Sequence, residues 1–173
     1  WGKGKKLSVC DIQVTRSYNT PAKNEFQGYL NLSVKDETGS PISARVGIYD
    51  SSNRMPLLDS QAVAMPHFED TRNEFLLDKN RINWPNPNHR AFYINKNYQQ
   101  RLPAGTYQIV VGRGLEYQTY TAAVEIEADK ESTVSIQLSR FSNLPAKGWY
   151  SGDLHIHASR RHASNNQALA AIA

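Results

Sequence analysis

Residues 104–138 read AGTYQIVVGRGLEYQTYTAAVEIEADKESTVSIQL. Tyr107, Ile109 and Val111 stand at alternate positions, as do Ala122, Val124 and Ile126, and then Val134, Ile136 and Leu138. Successive side chains of an extended strand point to opposite faces, so each run has one apolar face. Gly105 opens the first run, and Asp129-Lys130-Glu131 turns the chain between the second and third. Short alternating strands at this spacing predict an all-β chain, specifically an antiparallel β-sandwich.

Moving upstream, the pattern persists. Residues 28–36 alternate, with Leu30, Leu32 and Val34 on one face. Thr38-Gly39-Ser40-Pro41 is a turn, and Ala44, Val46 and Ile48 are the inward side of a following strand. The two are expected to pair as an antiparallel hairpin. Residues 92–94 and 98–102 read as a strand and its return across a polar turn at 95–97. Residues 7–15 read as a strand carrying Cys10, a half-buried thiol; as the only cysteine it has no intrachain partner. Residues 51–90 are the least regular. A loop this long is uncommon in a compact domain, so short strands are expected near 60–64 and 75–77. Within it Trp84, among prolines and asparagines, suits a sugar-stacking platform, a lid, or a pin holding the loop to the sandwich. Gly112-Arg113-Gly114 reads as a bulge or wide turn, because no helix follows to supply a phosphate-binding N-terminus. Glu116 beside it reads as a solvated strand-end carboxylate, and Tyr117 as an exposed aromatic available for binding.

Downstream the character changes at Asp153-Leu154-His155-Ile156-His157. On a strand, Asp153, His155 and His157 share one face, with neighbouring imidazoles roughly 6–7 Å apart at Cα. Two rings so placed can meet at one metal ion or at adjacent ions, and a nearby carboxylate can orient a ring. A solvated strand face is the plain alternative. A catalytic zinc needs at least three protein ligands and an open position, so the pair is a partial site. Ser164-Asn165-Asn166 supplies N-cap residue types and residues 167–173 are strong helix formers. Strand, loop and helix make the first unit of a β/α repeat, whose functional residues sit at strand C-termini.

The segment GWYSGDLHIH, residues 148–157, resembles the start of the polymerase-and-histidinol-phosphatase (PHP) metallohydrolase domain, in the CehA/McbA-like branch. Residues 102–141 resemble the β-sandwich that precedes it there, similar to carboxypeptidase regulatory-like and transthyretin-like modules. The likeness covers residues 91–173 and, more loosely, 28–50. It implies a β/α barrel binding two or three divalent ions (zinc, manganese or iron) and hydrolysing phosphoesters. His155 and His157 match its metal ligands, with Asp153 as the adjoining acid; the later ligands belong to strands absent from this sequence. The expected organisation is a transthyretin-like sandwich at 1–145, then a linker and the first strand and helix of a truncated PHP domain at 146–173.

Composition bounds the alternatives. Three Trp, nine Tyr and five Phe supply aromatic area for a core. No apolar run approaches the about 20 residues of a membrane-spanning helix. The net charge of +4 gathers toward the ends, at Lys3, Lys5, Lys6, Arg160 and Arg161. No stripe of basic and aromatic residues crosses the middle, so a nucleic-acid partner is not expected. No Gly-x-Ser-x-Gly elbow and no paired-carboxylate arrangement is present. The chain begins at Trp1 rather than Met, from which it is inferred that a leader, or simply upstream sequence, has been removed; a periplasmic or secreted setting is favoured. The expectation is a non-catalytic module of a metal-dependent hydrolase, inactive alone, whose partner is the remainder of the PHP domain. An unpaired C-terminal strand also invites homo-oligomer formation. The alternative is a free-standing carbohydrate- or protein-binding sandwich that uses Trp84 and Tyr117.

Overall fold

The computed structural model describes residues 26–59, 61–63, 82–83, 90–152 and 163–172. These are mostly strand: β1 (Gln27–Lys35), β2 (Ala44–Tyr49), β3 (Ile82–Asn83), β4 (Arg90–Ile94), β5 (Asn97–Pro103), β6 (Gly105–Gly112), β7 (Tyr120–Ile126) and β8 (Glu131–Gln137). A 3-10 turn at Pro145–Lys147 and one helix, α1 (Ala163–Ile172), follow. The strands form two sheets, ordered β5-β1-β8 and β3-β4-β2-β6-β7. The core lies between them. Leu30, Leu32 and Val34 of β1, Val46 and Ile48 of β2, and Ile109 and Val111 of β6 are all buried there. Alternation in the sequence identified these residues, and each faces inward.

Pairing departs from the sequence reading in three places. The hairpin expected between residues 28–36 and 44–48 does not form: β1 pairs with β5 and β8, while β2 pairs with β4 and β6. With both edges of β1 occupied, β2 has no ladder left to form with β1. The chain turns back just far enough for the Ile42 N–H to donate to the Val34 carbonyl at 3.0 Å, then crosses to the other layer. The second departure is that β1 and β8 run parallel, with Leu32 opposite Val134; the other strand pairings are antiparallel. β4 and β5, read as outgoing and returning partners, likewise enter different sheets. They meet instead across the core, where the Phe92 and Tyr98 rings lie 4.9 Å apart.

Two further contacts complete the layers. Gly28 lets the turn after β7 close over β1, since a Cβ there would sit 2.1 Å from the Glu127 carbonyl oxygen. On the other side, Gln100 is buried and polar. Its carbonyl oxygen accepts from the Tyr98 hydroxyl at 2.6 Å, and its amide donates to the Leu57 carbonyl. The Asp59 N–H donates to the same hydroxyl at 3.1 Å, so these groups tie residues 57–59 to β5.

The outer face of the three-stranded sheet is set by the same register. Arg101, Tyr29 and Glu131 form one row across it; Gln99, Asn31 and Thr133 form the next; Asn97, Ser33 and Ser135 form the third. The sequence-predicted strands at 7–15 and 75–77 lie outside the described residues, and Val63 makes an isolated bridge to Tyr93. The helix expected after residue 166 is present and begins earlier, so Ser164, Asn165 and Asn166 lie within it. Among the described residues no helix is long and apolar enough to cross a membrane.

Candidate functional site

β1 and β8, being parallel, finish at the same end of the sandwich, next to the connection that leads into β7. There the chain leaves the fold, and Arg140 is the centre of what it leaves through. Its Nε donates to Glu37 Oε1 at 2.9 Å, from the turn after β1. Nη1 donates to Glu116 Oε2 and Nη2 to the Tyr117 hydroxyl. The guanidinium also lies over the Tyr117 ring, 4.3 Å from its centroid. Tyr117 and Arg140 form a backbone bridge, and Gln118 N–H donates to the Ser139 carbonyl at 2.9 Å.

Glu116 extends this clamp into the departing segment. Its carbonyl accepts from the Phe141 N–H at 2.9 Å, and its Oε1 accepts from the Leu144 N–H at 3.2 Å. Next come the 3-10 turn and Gly148, which caps it in the left-handed region at φ 81° and donates to the Pro145 carbonyl. The direction in which residues 149–152 leave is therefore set by hydrogen bonds back to the sandwich. Burial pushes the Tyr117 hydroxyl above its ordinary range, against the pull of Arg140. Arg140 lies above its ordinary range: burial opposes the charge, and contact with Tyr117 and Glu37 outweighs it.

Tyr117 is thus described and is only 9% exposed, with a cation on its ring. The sequence reading of an exposed aromatic is corrected, because the residue closes the sandwich end. Glu116 is corrected too: it is ion-paired, not simply solvated. Gly114 lies in a turn at φ 50°, as the wide-turn reading expects. Trp84, Asp153, His155 and His157 lie outside the described residues. Among the described residues no group of three or more His, Cys, Asp or Glu side chains is arranged to hold a metal. The donors read from the sequence, two imidazoles and a carboxylate, fit zinc, manganese or iron in kind. In number, two imidazoles fall short of a catalytic zinc site. Sequence reasoning missed Arg140 and Glu37, which lie 103 positions apart.

No family model matches this chain, and no curated protein matches it. Among solved structures it is similar to GBS52, the minor pilin of Streptococcus agalactiae, at 20% identity over 69% of this chain and 47% of that one, with a TM-score of 0.46. It is also similar to the Bacillus anthracis TIE protein, at 12% identity over 67% of this chain and 17% of that one, with a TM-score of 0.40. The chain therefore matches about half the length of the first and a small part of the second.

Proposed function

We propose that residues 1–145 are a transthyretin-like, non-catalytic module that precedes and orients a metal-dependent hydrolase domain of PHP type, whose linker and first strand and helix lie at 146–173. The observation that carries this reading is the clamped exit. A simple tether has no need of a guanidinium held by two carboxylates and a tyrosine, whereas a module that aims its neighbour does. Five of the nine large exposed apolar side chains among the described residues lie next to Glu116 in the chain or in the departing segment: Leu115, Phe141, Leu144, Trp149 and Tyr150. Trp149 is 71% and Tyr150 81% exposed. Large exposed apolar side chains on one short connection suit an interaction site, and a domain that follows directly would cover them.

In this reading His155 and His157 donate to a divalent ion, and Asp153 orients an imidazole beside it. The bound ion would lower the pKa of a coordinated water and polarise the scissile phosphoester. This chain contributes two of the imidazoles and depends on further donors for turnover. The test is calorimetric titration with zinc and with manganese, alongside hydrolysis of a generic phosphodiester. Weak metal binding that disappears in the His155→Ala/His157→Ala variant, without turnover, is expected. Robust turnover by these 173 residues alone would overturn the proposal.

A further inference from the structure

The outer face of the β5-β1-β8 sheet carries chemistry that neither the clamp nor the histidine motif uses. Tyr29 stands on it 45% exposed, with the Arg101 guanidinium 5.1 Å from its ring centroid. In the same row Glu131 accepts a hydrogen bond from the Asn31 amide. Both charged groups of that row are thus engaged by neighbours. The two rows beyond Tyr29 are amides and hydroxyls throughout, without a charge.

Each class of ligand wants a different surface. A polyanion wants clustered Lys and Arg. On β1 and β5 the cations of this face, Arg101 and Lys35, flank opposite ends, about 20 Å apart at the rise of an extended strand. An apolar protein partner wants a continuous apolar patch, and here Tyr29 is the one aromatic among polar groups. A neutral sugar chain presents apolar C–H faces and hydroxyls that both donate and accept. Those are met by a half-exposed aromatic ring followed by Asn and Gln amides and a Thr hydroxyl, which also donate and accept. A sheet face carrying three successive rows of such groups suits a polymer better than a single sugar.

We propose that this face binds a neutral polysaccharide, with one sugar ring stacked on Tyr29 and the hydroxyls of the next sugars held by Asn31, Gln99 and Thr133. Arg101 holds the ring of Tyr29 in place. The proposal is independent of the hydrolase reading: the site lies wholly within the sandwich and needs no metal, so either can fail without the other.

The test is affinity electrophoresis of the full 173-residue chain through gels containing a soluble β-glucan, a galactomannan or a xylan, with dextran sulfate as the polyanion control. At least one neutral polymer should retard the chain, and Tyr29→Ala should weaken that retardation about tenfold. Tyr29→Trp should keep or strengthen it, and Asn31→Ala should weaken it further from the tyrosine. Because Tyr29 is half in water, circular dichroism and the melting curve of Tyr29→Ala should match the parent and exclude misfolding as the cause. Failure of every neutral polymer to bind overturns the proposal. So does binding indifferent to Tyr29→Ala, or retention by dextran sulfate alone that salt abolishes.

Discussion

Between the sheets, Leu30, Ile48 and Ile109 have lost all contact with water; at the exit, Phe141, Trp149 and Tyr150 remain largely in it. The interior is held chiefly by apolar burial, with Tyr98 and Gln100 as a buried polar tie. The exit is held by polar contacts around Arg140, with its apolar side chains turned outward. The first region excludes water to make a fold. The second uses up its charges on one another and leaves its apolar surface available. Their energetics should differ accordingly: core contacts are cooperative and global, whereas clamp contacts are local and partly screened.

The largest expected effect is in the interior. Leu30→Ala empties a fully buried site on the central strand of the three-stranded sheet and should cost about 2–5 kcal/mol in urea denaturation. Gly28→Ala comes next. The added Cβ meets the Glu127 carbonyl, a backbone atom that cannot rotate aside, and should cost about 1–3 kcal/mol. If Gly28→Ala were silent, the closing turn would be looser than its contacts imply.

Arg140→Ala tests the other side of the comparison. It leaves Glu37, Glu116 and the Tyr117 hydroxyl without their shared donor. The two carboxylates are about a fifth to a third exposed, so water compensates in part, and a loss of about 1–2 kcal/mol is expected. The sharper readout is local. Limited proteolysis should cut residues 141–152 faster in the variant while the sandwich itself survives. Global unfolding as large as that of Leu30→Ala would mean that the clamp belongs to the core, and that the exit is not a separate device.

What the sequence made legible follows from the same contrast. Period-two alternation placed Leu30, Val46, Ile109 and Ile136 inside, because facing inward is a local property of a strand. It did not reveal that β2 would leave β1 for the other sheet, or that β8 would lie parallel to β1. Partner choice depends on which edges are already taken, and alternation carries no record of that. Tyr117 looked like an exposed aromatic for a similar reason: its cover, Arg140, arrives from beyond β8 and is itself oriented by Glu37. Ion pairs between such distant residues leave no spacing signature. Tyr29, by contrast, faces water from an outward position of an alternating strand, where parity alone could have found it.

The smallest effect concerns the turn that carries β1 away from its own sheet. Asp36 Oδ1 accepts from the Thr38 hydroxyl at 2.7 Å, the Ser40 N–H at 2.8 Å and the Thr38 N–H at 2.9 Å. The Thr38 hydroxyl is the main cause holding this carboxyl below its ordinary value of 3.8; desolvation opposes it, and the backbone donors and the charge of Arg140 add to it. A carboxyl depressed on folding contributes stability above its unfolded pKa, and that contribution fades as pH falls through the lower folded value. The turn should therefore be fully supported at neutral pH and weaken only below about pH 4. Asp36→Asn keeps an acceptor oxygen and removes the charge. The gap in urea midpoint between parent and variant should be constant near neutrality and close in acid, and carbon-detected titration should place the Asp36 carboxyl below 3.8. A gap that widens in acid would reverse the sign and show that the carboxyl is not what ties this turn. Because the group is at the surface, the change should be confined to residues 36–42, leaving the buried strands on either side as they are.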